Sequence, residues 1–117
     1  MMAMRRFASL VLSTGTLLVA GAAPHASADA VAYLVNVTMR PGYGFANADD
    51  ALSYGNSLCD RVSQGRSYAS LIGDIKTDFN TADEFQASYL LSQAVNELCP
   101  ALIWQLRNSA ANYRIGG

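Results

Sequence analysis

Apolar residues recur at helical spacing along most of this chain. In Asp29–Met39 (DAVAYLVNVTM), Val31, Leu34, Val35 and Met39 share one helical stripe, which predicts a short helix despite the β-branched content. Arg40–Ala46 (RPGYGFA) breaks the pattern, with Pro41-Gly42 as a turn signal and Gly44 as a second break. Asn47 then predicts an N-cap, with Asp49 and Asp50 in the first turn, where the helix dipole favours negative charge. The helix it opens runs to about Gln64 on a face of Ala51, Leu52, Gly55, Leu58, Cys59 and Val62. Gly65 stops it as a glycine just past the end. Gly55 lies inside the apolar face, where glycine costs about 1 kcal/mol against alanine. A close helix crossing is a reason to keep it there.

Ser67 opens a third helix on the stripe Tyr68, Leu71, Ile72, Ile75 and Phe79. Thr81-Ala82-Asp83-Glu84 reads as a capping box, with the Thr81 hydroxyl accepting from the Glu84 amide and the Glu84 side chain reaching back. The fourth helix runs from there to about Cys99. Its wide apolar arc, from Phe85 through Leu91 and Val95 to Leu98, predicts the central helix of the fold. Pro100 closes it or opens a new one, since proline suits a first helical position. The last segment, ALIWQLRNSAANYRIGG, is predicted helical to about Ala111 and frayed at Gly116-Gly117. No segment alternates with period two between turn signals. The expected fold class is all-α, four to five short helices around one core.

The N-terminus has a different pattern. Arg5 and Arg6 precede an apolar run from Phe7 to Ala23, followed by Pro24 and the small-x-small site Ala26-Ser27-Ala28. This is the layout of a secretory signal peptide, with cleavage expected between Ala28 and Asp29 and weaker alternatives at Ala23 and Ala30. An uncleaved anchor is the competing reading, since the run approaches the ~20 residues that span a bilayer. Cleavage leaves residues 29–117 as a single small domain, placed outside the cytoplasm, either secreted or in the cell envelope. It also removes Arg5, Arg6 and His25, leaving nine acids against six bases and a net charge of −3. A mildly acidic chain without a basic run is a poor nucleic-acid ligand. No other stretch is long and apolar enough to span a membrane.

Loss of His25 bears on the two cysteines, Cys59 and Cys99. A metal site needs about four ligands, and residues 29–117 contain no histidine and no C-x-x-C pair. A catalytic thiolate needs a partner base, most often histidine. A disulfide fits the even cysteine count, the small domain and the exported context. Both cysteines fall on the inner faces of their predicted helices. A closed loop of 41 residues stabilises the fold by roughly 4 kcal/mol in the chain-entropy account.

The pattern AYL…RPGYGFANADDALSYGNSLCDRVSQGRSYASLIGDI…QASYLLSQAVNELCP resembles a family of small exported mycobacterial proteins, the domain-of-unknown-function family numbered 732. The features that carry it are Tyr33-Leu34, Gly42-Tyr43, the Ala51…Gly55…Cys59 face, Gly65, Ala94 and Cys99-Pro100. The likeness spans about residues 30–100. It implies an exported, helical, disulfide-linked domain with no assigned activity, cofactor or partner. The tail 101–117 gets no support from it.

Several chemistries remain to be weighed. Asp74, Asp78, Asp83 and Glu84 form the densest acidic group, and paired carboxylates in a cleft hydrolyse glycosides. Asp83 and Glu84, however, are already accounted for as charges at a helix N-terminus. The run DFNTADE begins like a calcium loop, then fails at Ala82 and lacks the required glycine. No nucleophile elbow and no phosphate-cradling loop is present. Two apolar features remain as candidate partner contacts: Tyr43 and Phe45 in the glycine-rich loop, and Trp104 in the tail with Leu102, Ile103 and Leu106. The expected function is a non-enzymatic binding or interaction module of the cell envelope or extracellular space, without cofactor or metal. The alternatives are a carboxylate-dependent hydrolase of wall glycan and a carrier of an apolar small molecule.

Overall fold

The computed structural model describes residues 29–115. The expected signal segment 1–28 and the closing Gly116-Gly117 lie outside the described residues. Five α-helices follow in order: α1 (Ala30–Met39), α2 (Ala48–Ser63), α3 (Tyr68–Asp78), α4 (Glu84–Gln93) and α5 (Ile103–Ala110). A π-helical turn (Ala94–Leu98) and a 3₁₀ turn (Pro100–Leu102) join α4 to α5. The fold is all-α among the described residues.

Capping explains most boundaries. The side chains of Asp29, Asn47 and Ser67 accept from the amides of Ala32, Asp50 and Ser70, opening α1, α2 and α3. Gly65, at φ +92°, ends α2. Its amide bonds Val62 O while the Arg66 amide bonds Arg61 O, the paired pattern of a Schellman stop. The same pattern ends α3, where Asn80 takes the left-handed position at φ 50°. Asparagine tolerates that conformation better than most residues.

The expected capping box at Thr81 does not form. The N-cap of α4 is Asp83, whose Oδ1 accepts from the amides of Phe85 and Gln86. The Thr81 hydroxyl accepts from the Asp83 amide instead. Glu84 is thereby released to reach across to Lys76 and Tyr113.

The face of α1 also departs from expectation. Tyr33 and Val37 are buried, whereas Val31, Val35 and Met39 are exposed. This helix is apolar nearly all round, so periodicity alone does not choose a face. Tyr33 decides it, because its bulk and its hydroxyl both find places in the core. The Tyr33 hydroxyl donates to Ala51 O of α2 at 2.8 Å. Gly55, one turn on, makes the room: a methyl there would sit 2.7 Å from Tyr33 Cζ and 2.6 Å from Leu98 Cδ1. The close crossing expected of Gly55 is the α1–α2 contact.

On α2, Ala51, Leu58, Cys59 and Val62 are buried, and on α3 Leu71, Ile72 and Ile75. In α4, Ala87, Leu90 and Leu91 are buried while Phe85 points outward, contrary to its expected place in the apolar arc. The expected helix to Cys99 is instead regular only to Gln93 and then widens into the π turn. Cys99 precedes Pro100 and leaves helical geometry at φ −145°, as a residue before proline tends to. Its sulfur is bonded to Cys59 of α2, with Cα atoms 6.0 Å apart. The staple joins the second helix to the end of the fourth.

Candidate functional site

Three regions carry the side chains that a function needs. The first is the loop between α1 and α2. Tyr43 is only 5% exposed, and its hydroxyl donates to Gln86 O at 2.6 Å. Burial pushes this phenol up to about 12, against the lowering pull of Arg40. Phe45 is half-buried against Tyr43, Tyr54 and Phe79, with ring centroids 5.7–6.1 Å apart. The glycine-flanked aromatics are thus structural. Tyr43 is a core residue that pins the loop onto α4 and does not present a surface to a partner.

The second region is the acidic group. Its members do not converge on one cleft. Asp74 takes the guanidinium of Arg66 at 2.5 and 2.6 Å and that of Arg61 at 3.3 Å. Asp78 accepts from the Tyr54 hydroxyl at 2.8 Å, and Asp83 is spent on the α4 cap. Glu84 accepts from Lys76 at 2.5 Å and from the Tyr113 hydroxyl. The Arg66 hydrogen bond holds the Asp74 carboxyl below the ordinary range. The Lys76 hydrogen bond does the same for Glu84. A general acid needs the opposite shift. The Glu84 hydrogen bond in turn raises Tyr113 to about 12, and Tyr54 is raised by burial first and by Asp78 second. The group works as a set of struts: Asp74 ties α3 to α2, and Glu84 ties α4 to α3 and to the tail.

The third region is the outer surface. Trp104 is 70% exposed on α5, with the Arg107 guanidinium 5.1 Å from its ring. Leu106, on the opposite side of that helix, is buried, and Gln105 donates to Val62 O at 2.5 Å. The expected tail face therefore divides: Leu106 packs inward with Leu102 and Ile103 against the core, while Trp104 is left outside. Ile115 is 80% exposed beyond the helix end. Tyr113 folds back against Tyr68, with centroids 5.0 Å apart, so the tail is fastened on both sides of Trp104. A second stack lies at the far end of α4, where Arg40 caps the Phe85 and Tyr89 rings at 4.6 Å from each centroid. Neither arginine stack was singled out from sequence. The Trp104-x-x-Arg107 spacing, one helical turn apart, was the available signal for one of them.

One surface cleft, of about 350 Å³, is lined by Arg40, Pro41, Asp83 and Gln86. A second, of about 220 Å³, is lined by Val37, Arg40 and the loop to Phe45. Another, of about 130 Å³, lies between α4, the π turn and α5, with Val95, Ile103 and Leu106 on its walls and Arg107 at its edge. No group of three or more metal-ligating side chains gathers among the described residues. No helix among them is long and apolar enough to cross a membrane.

Fold and surface together define a disulfide-stapled all-α module. The chain belongs to the family described as protein of unknown function (DUF732), whose profile matches residues 26–101. No curated protein and no solved structure matches the chain. The family match ends before α5, so Trp104 and Arg107 lie outside it.

Proposed function

We propose that this protein is an exported, non-enzymatic binding module that engages a partner in the cell envelope or outside the cell. The observation that carries this reading is the contrast between occupied chemistry and unoccupied apolar surface. Both cysteines are in a disulfide, and the four clustered carboxylates are tied up in ion pairs, hydrogen bonds and a cap. Trp104, by contrast, stands exposed on a helix whose inner face is anchored by Leu106 and Gln105. A large aromatic fixed on a rigid element is the kind of residue that dominates binding energy.

Export rests on the sequence of residues 1–28, and N-terminal sequencing of the protein recovered outside the cytoplasm tests it: a start at Asp29 supports it and a start at Met1 refutes it. Binding is tested by a photo-crosslinking residue at the exposed Asn108, one turn on from Trp104, with a control at the exposed Ser53 of α2. Adducts specific to position 108 support the reading, and equal labelling at both positions overturns it. The hydrolase and carrier alternatives draw less support: the carboxylates are separated into different contacts, and the cleft of about 350 Å³ is walled by Arg40, Asp83 and Gln86 beside Pro41, a polar lining for an apolar molecule.

A further inference from the structure

Charge is distributed unevenly along this domain. All nine carboxylates lie at or before Glu97. Residues 29–99 hold nine acids against four bases, a net charge of −5. Residues 100–117 hold Arg107 and Arg114 and no acid at all. Neither arginine has a carboxylate within salt-bridge distance among the described residues, nor does Arg40 before the α1–α2 loop, whereas Arg61, Arg66 and Lys76 are all paired. This acid-free segment also carries Trp104 and Ile115, two of the exposed large apolar side chains.

We infer that the outer face of α5, with the segment to Ile115, docks on the surface of an anionic lipid bilayer. This rests on the binding function proposed above and names its partner class. Three physical points carry it. Indole sits well at a membrane–water interface, being apolar in body with one polar N–H. Each arginine near an anionic lipid surface strengthens binding roughly five-fold. The acidic remainder is repelled by the same surface, so the acid-free segment makes the favoured approach, and the repulsion turns most of α1 to α4 away from the lipid. The stack of Arg107 on Trp104 puts charge and indole at the same point. The inward anchors of α5 at Leu106 and Gln105 hold that point outward.

Trp104 is the chain's one tryptophan, so its emission reports this face whatever residues 1–28 do. The experiment measures the fluorescence of the full chain with vesicles of phosphatidylcholine plus phosphatidylglycerol, with vesicles of phosphatidylcholine alone, and with free glycerol 3-phosphate. The expected result is a blue shift, and quenching by brominated acyl chains, with the anionic vesicles only. High salt abolishes both. The Arg107→Gln/Arg114→Gln variant, altered only at exposed side chains, should bind roughly 25-fold more weakly by the same per-residue factor, with an unchanged circular dichroism spectrum. The inference is overturned by an unshifted emission on anionic vesicles, by equal shifts on neutral ones, or by undiminished binding of the double variant. It is also overturned by a shift with glycerol 3-phosphate alone, which means a free-phosphate site. A shift that grows with protein concentration without lipid means a second copy covers the face, and overturns it too. If lipid binding fails while crosslinks at position 108 to a protein persist, this inference falls and the binding function stands. Loss of both removes both.

Discussion

Gly55→Ala should destabilise this protein, although alanine is the better helix former. The added methyl would lie 2.6 Å from Leu98 Cδ1, 2.7 Å from Tyr33 Cζ and 2.8 Å from Tyr33 Oη. Leu98 is half-buried and can turn aside. Tyr33 is fully buried and bonded to Ala51 O, so it has nowhere to go without moving α1. Overpacking of this kind costs about 1–3 kcal/mol. Displacing the phenol also weakens a buried hydrogen bond, worth about 1 kcal/mol and more if its partner is left unsatisfied. Against this stands a gain of about 1 kcal/mol in helix propensity. The net is a loss of about 2 kcal/mol, or a fall of about 8–16 °C in Tm for a domain of this size. Gly73→Ala is the internal control. It lies in α3 with nothing within 4 Å of its would-be methyl, so the propensity gain should raise Tm by a few degrees. Calorimetry of the two variants side by side tests the argument. A Gly55→Ala protein as stable as wild type would mean that α1 does not cross α2 at this point.

Other consequences follow from the same contacts. Replacing both cysteines by serine should lower stability by roughly 2–4 kcal/mol, read as a lower midpoint in urea, because the bridge closes a long loop; an unchanged midpoint would show that the bridge contributes nothing. In acid, the lowered carboxyls of Asp74 and Glu84 supply stability that is present above their ordinary pKa of about 4 and lost as pH falls through their folded values. Tm should therefore drop in that window, and Asp74→Asn should flatten the drop. In alkali the sign reverses: burial raises Tyr33 to about 12, so its stabilising share is present below about pH 10 and lost as pH rises toward 12. Phenolate absorbance that tracks unfolding supports this, and free titration of Tyr33 in the folded protein contradicts it.

Much of the fold can be read from the sequence where a residue has one physical use. Asn47, Ser67 and Gly65 sit at helix ends where their side chains or conformations are wanted, and the α2 stripe around Gly55 is buried as its spacing implies. The reading fails where several residues compete for one role. Around α4, Thr81 and Asp83 are both fit to cap, and the carboxylate wins two amides. In α1, apolar residues lie on nearly every side, so several stripes can face inward, and the choice falls to Tyr33 because of a hydroxyl that needs Ala51. The π turn has no local sequence signal; it arises where Cys99 must meet both the disulfide and Pro100. Of the candidate contacts, Tyr43 and Trp104 look alike as aromatics near turns or helix ends. Only tertiary packing separates the one bonded to Gln86 from the one left in solvent.

The central claim is that surface at Trp104, and not the acidic cluster, does the work of this protein. Partner capture from envelope fractions by Trp104→Ala and by Asp78→Asn, each compared with wild type at matched folding, tests it most directly. The account predicts that Trp104→Ala loses capture at least ten-fold, as a hot-spot aromatic should, while Asp78→Asn retains it. Undiminished capture by Trp104→Ala, or turnover of wall glycan that Asp78→Asn abolishes, would contradict it.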